Sequence, residues 1–134
     1  MRGIAVVLVC ASCAAEDDRV VGVVEFGSEG LRVDAPAMAS PGEPFAVAVT
    51  TYGSSCVSVH STEIEYAGDS IVITPYDRER GNNCHLILLF LEHRVELTFP
   101  DPGTKTVTIR GRKVELVARE RISDVSHDID IVVE

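Results

Sequence analysis

"FAVAVTTY", residues 45–52, decides the fold class. Phe45, Val47 and Val49 fall on one side of an extended chain; Ala46, Ala48 and Thr50 fall on the other. Successive side chains of a strand point to opposite faces, so this period of two marks a half-buried β-strand. A helix would repeat its apolar positions every three or four residues. The stretch just before it, "SPGEP" (40–44), is a connection, because proline has no N–H to give to a ladder.

The same signature recurs on either side. Leu31 and Val33 alternate with polar neighbours. Val57 and Val59 alternate with Ser58 and His60, and Ile64 and Tyr66 with Glu63 and Glu65. "AGDS" (67–70) is a turn, and "IVITPY" (71–76) is a strand that Pro75 is expected to end. "DRERGNN" (77–83) reads as an exposed loop. "LILLFL" (86–91) is a continuous apolar run that fits either a short helical turn packed across the bottom of a sandwich or a fully buried strand. Alternation then returns in "RVELTF" (94–99), with Val95, Leu97 and Phe99 inward, and in "TKTVTIRGR" (104–112), with Val107 and Ile109 inward. "KVELVA" (113–118) follows, and "HDIDIVVE" (127–134) places Ile129, Ile131 and Val133 on one face. Short strands between turn signals predict an all-β domain. The expected form is an antiparallel sandwich of about seven strands over residues 31–134, behind an acidic lead-in at 16–30.

"SPGEPFAVAV" followed by "FPDPGTKTVTIRGR" resembles the bacterial extracellular immunoglobulin-like domains of exported proteins and lipoproteins. In that family a Pro-Gly turn introduces the second strand and a Pro-Gly-Thr turn a late one. The resemblance implies an immunoglobulin-like sandwich and lends no activity. The chain departs from the antibody-type pattern: it has no tryptophan, and Cys56 follows its strand instead of lying inside it. The inter-sheet core disulfide of antibody domains is therefore not carried over.

The N-terminus predicts where the protein goes. "MRGIAVVLVCASCAA" has Arg2, then an apolar run from Ile4 to Val9, then small residues, which is the layout of a signal peptide at 1–15. The run is too short for a permanent transmembrane helix. Cys13-Ala14-Ala15 fits a small-x-small cleavage site before Glu16. "VCASC" (9–13) also resembles a bacterial lipoprotein box with Cys13 as the acylated residue, though Cys10 stands where Leu or Val is usual. Both routes lead to export, to the periplasm, a lipid-anchored outer-membrane position or the exterior. Cys10-x-x-Cys13 lies inside this targeting segment, so a thioredoxin-like redox reading is rejected.

The mature region keeps two cysteines, Cys56 and Cys84, each shortly after a glycine in a polar stretch. In an oxidising compartment paired thiols become disulfides. A Cys56–Cys84 bridge would close a loop of about 29 residues and constrain the unfolded state by roughly 3.6 kcal/mol. The competing reading is a zinc or copper(I) site built from Cys56, His60, Cys84 and His85, with His93 not far on. Its spacing is poor: His60 lies about 13 Å along a strand from Cys56, and adjacent Cys84 and His85 face opposite ways in extended chain. Each histidine taken alone is expected to be an exposed polar residue.

The remaining chemistry is sparse. Glu63 and Glu65 share a strand face, as do Asp128 and Asp130, and such outward acids solvate and protect a sheet. There is no phosphate-binding glycine loop, zincin motif or nucleophile elbow. With 12 Lys and Arg against 21 Asp and Glu, the formal charge of −9 disfavours nucleic acid and anionic membrane surfaces, and "RGRK" (110–113) is too short to argue for nucleic acid. The expected function is a non-enzymatic, exported or envelope-anchored binding or structural module. It needs no cofactor, its partner would be another envelope or extracellular protein, and it would touch membrane through the lipid anchor. The alternatives are periplasmic metal binding through the Cys/His set and protease inhibition by loop 77–85.

Overall fold

The computed structural model describes residues 18–117 and 119–134. Ten strands form one strongly curled sheet: β1 (Arg19–Val21), β2 (Val23–Phe26), β3 (Val33–Asp34), β4 (Met38–Ala39), β5 (Phe45–Gly53), β6 (Val57–Ala67), β7 (Ser70–Glu79), β8 (Leu89–Leu97), β9 (Gly103–Leu116) and β10 (Glu120–Val133). The all-β expectation holds, and the described residues contain no helix. Strand count and pairing differ from the sequence reading. The ladders join into a single sheet with the path β1-β7-β9-β2-β5-β3, with β6 on β7, β8 on β5, β10 on β9 and β4 on β10. The sheet is mixed: β7 and β2 each run parallel to β9, and β4 runs parallel to β10.

One local arrangement creates the mixture. β7 pairs with β9 through Ser70–Ile73, and then the two strands part. The N-terminal segment fills the gap, with β1 pairing with the end of β7 and β2 pairing with the end of β9. Gly22 is the pivot. Its N–H donates to the Pro75 carbonyl at 2.8 Å, and its carbonyl accepts from the Arg112 N–H at 2.8 Å. A Cβ there would lie 2.5 Å from Thr51 Cγ2, so glycine is required by close approach. The "lead-in" is thus integral to the fold, and Val24 is fully buried.

This arrangement also explains why Pro75 does not end its strand. β7 continues to Glu79, and Pro75 sits where its neighbour changes from β9 to β1. A missing donor is tolerated at such a junction, and the carbonyl is still used by Gly22.

The curl folds β5 and β8 over β7, β9 and β10. Val47 and Val49 of β5, Leu97 of β8 and the neighbouring Phe99 meet Ile71, Ile73, Val107, Ile109, Ile131 and Val133 in one core. All of these except Ile71 and Ile73 are positions that the period of two assigns to one face. "LILLFL" is neither helix nor buried strand: residues 86–88 are exposed irregular chain, and β8 starts at Leu89.

Candidate functional site

The ends of β5 and β7, the starts of β6, β8 and β10, and the β9–β10 tip gather at one end of the molecule. Register puts them there: Val57 pairs with Glu79, Gly53 with Leu89, Arg19 with Arg78 and Glu120 with Leu116. Cys56 and Cys84 are joined by a disulfide at this end, with Cα atoms 5.3 Å apart. Short polar bonds dress the staple. The Ser55 hydroxyl accepts the His85 N–H at 2.7 Å, and the Arg80 N–H donates to the Cys56 carbonyl at 3.0 Å. Gly81 takes φ 97°, which favours glycine, beside the Cys56 sulfur.

The staple holds an apolar segment in the open. Leu86 is 100% exposed and Ile87 53%. Across from them the β9–β10 tip exposes Leu116, Val117 and Ile122, with Val117 at 73%. A groove runs at this end, lined on the hairpin side by Glu120 and Ile122. One part, of about 340 Å³, is lined by Phe26, Gly53, Leu86, Ile87, Leu88 and Glu120. A second part, of about 220 Å³, shares Phe26, Gly53 and Glu120 and reaches Tyr52, Asp77 and Arg112. The floor is a small second core of Val23, Tyr52 and Val114, with Phe26 packed against it.

Tyr52 is fixed from both ends. Its hydroxyl donates to the Gly30 carbonyl at 2.7 Å, and its ring meets Phe90 edge-on at 5.3 Å between centroids. Burial pushes its phenol pKa up, partly offset by the Arg32 charge. Beside the groove, the Arg78 and Arg80 guanidiniums both bond the Asp18 carboxylate, where the described chain begins. The Arg80 hydrogen bond is the main cause of a lowered Asp18 pKa. Desolvation opposes it and Arg78 adds to it.

The sequence-selected residues separate. Both sulfurs that the metal reading needs are consumed by the disulfide. His60 Nδ1 bonds the neighbouring Ser61 hydroxyl at 2.8 Å. Among the described residues no group of three or more His, Cys, Asp and Glu side chains is gathered for a metal. Cys13 and the rest of the expected signal segment lie outside the described residues. Loop 77–85 needs correction: residues 77–79 belong to β7, and the irregular stretch starts at Arg80.

His93 also departs from expectation. It is buried, with Nε2 2.8 Å from Asp77 Oδ1 and Nδ1 2.8 Å from Thr62 Oγ1. This Thr62–His93–Asp77 chain ties β6, β8 and β7 across the curl. The nearby Thr51 hydroxyl is buried and has no hydrogen-bond partner among the described residues. The signal for His93 was present, since it continues the inward series Val95, Leu97 and Phe99. Asp77 carries no such signal, because Pro75 reads in the sequence as the end of its strand.

No family model, curated protein or solved structure matches the chain.

Proposed function

We propose that this chain is a non-enzymatic, immunoglobulin-like module, exported and held at or beyond the cell envelope, that makes contact through its disulfide-stapled end. The observation carrying this reading is the set of exposed apolar side chains at this end: Leu86 and Ile87, which line the groove, and Leu116, Val117 and Ile122 of the β9–β10 hairpin. Soluble domains seldom leave such side chains clustered in water, and clustered exposure marks contact surfaces. The disulfide supports the exported part, because such bridges persist in oxidising compartments. Two facing layers of inward valine, isoleucine and leucine support the sandwich form. The buried histidine supports the non-enzymatic part, since both its ring nitrogens are engaged inside the protein.

A photo-crosslinking residue placed at Leu86 tests the reading in intact cells. A second, placed at Tyr66, reports on the exposed β6–β7 end. Adducts, whether to protein or to lipid, are expected at position 86 and not at 66. Equal or absent labelling at 86 contradicts the proposal.

A further inference from the structure

Resting on the reading above, we infer that the stapled end docks on a phospholipid bilayer, with residues 86–88 and the β9–β10 tip entering the interface. Three observations carry this inference.

The first is where the chain arrives. Asp18 is clamped by Arg78 and Arg80 at the same end as the groove, and its carbonyl accepts the Glu79 N–H. Cys13 is five residues upstream. Five residues reach at most about 17 Å, whatever their conformation. A lipid anchor on Cys13 therefore keeps this end, and not the β6–β7 end, against the membrane.

The second is the shape of the apolar surface. Leu86, Ile87 and Leu88 project from irregular chain at one rim, and Leu116 and Val117 from a hairpin tip at the other. Two protruding apolar tips flanking a groove suit insertion into a soft interface.

The third is charge. Arg119 and Arg121 stand exposed at the hairpin tip, in a chain whose formal charge is −9. Long basic side chains beside apolar residues lay their stems in the interface and their heads among phosphates. Of the acids that follow the anchor, Glu16, Asp17 and Asp18, the last is paired with two arginines. An acyl chain and an apolar tip are two membrane signals, and the second fixes orientation.

The chain has no tryptophan, so the L86W variant carries a single reporter. Leu86 is fully exposed, so the fold does not depend on it. The full-length protein carrying C13S removes the anchor, and Y66W in the same background is the control. Vesicles of phosphatidylethanolamine and phosphatidylglycerol are added, with and without brominated acyl chains. Blue-shifted emission and bromine quenching are expected for L86W and not for Y66W. Adding I87D is expected to weaken partitioning about tenfold or more. An unshifted L86W spectrum with vesicles overturns the bilayer inference. If L86W then shifts on self-association or with an envelope protein, the contact-surface reading survives and bilayer docking does not. If it shifts with none of these, both fail.

Discussion

His93, Asp77 and Thr62 show how a single position in a strand alternation sets a residue's role. His93 shares the inward phase of Val95, Leu97 and Phe99, so burial follows and its polar atoms must be satisfied inside. Removing it strands a buried carboxylate. His93→Ala is expected to cost about 3 kcal/mol in urea unfolding. Thr51 is the converse case. Its hydroxyl is buried without a partner, so Thr51→Val keeps the shape and removes the burden, with an expected gain of about 1 kcal/mol. Equal loss from both variants would show that Thr51 does have a partner. The cysteines were legible because few residue types have so narrow a choice once two of them are paired. Replacing Cys56 and Cys84 together by alanine is expected to lower stability by up to roughly 3.6 kcal/mol, seen as an earlier denaturation midpoint.

At the scale of elements, strands with clean alternation were readable and their partners were not. β5, β8 and β9 follow from a period of two, but the parallel pairing of β7 with β9 depends on a non-local wedge, β1–β2. Nothing local in "RVVGVVEF" distinguishes an edge from a wedge; its fully buried Val24 is fixed by what β9 presents. Gly111 is that surface: a Cβ there would lie 2.6 Å from Val24 Cγ2 and 3.1 Å from the Gly22 carbonyl. Gly111→Ala is expected to destabilise by about 1–3 kcal/mol through overpacking. A neutral result would mean that β2 does not pack on β9 in this way.

The start of the wedge is held by Asp18, whose folded pKa lies below its ordinary 3.8. A depressed acid contributes stability above its unfolded value, and loses it as pH falls through the folded one. Stability should therefore drop below about pH 4, and Asp18→Asn should flatten that limb of the pH profile. An unchanged acid limb in the variant would place the effect elsewhere.

For the whole molecule, net charge is legible in the sequence, while the exposed apolar end is not. "LILLFL" looked like something to bury, and its first half is instead displayed by the staple at the end where the chain enters. Sequence periodicity describes which face of an element is apolar; it does not say that a loop will be held out of the core by a bond 28 residues long in sequence. Staple, clamp and exposed apolar side chains gather at one end, in keeping with the proposed exported module oriented by that end. Intact-mass analysis of the protein recovered from expressing cells, with and without reductant, tests this account most directly. It predicts a chain shortened to begin at Cys13 with an acyl addition, or at Glu16, and lighter by two hydrogens until reduced. A chain that still starts at Met1 and carries free thiols at Cys56 and Cys84 would contradict it.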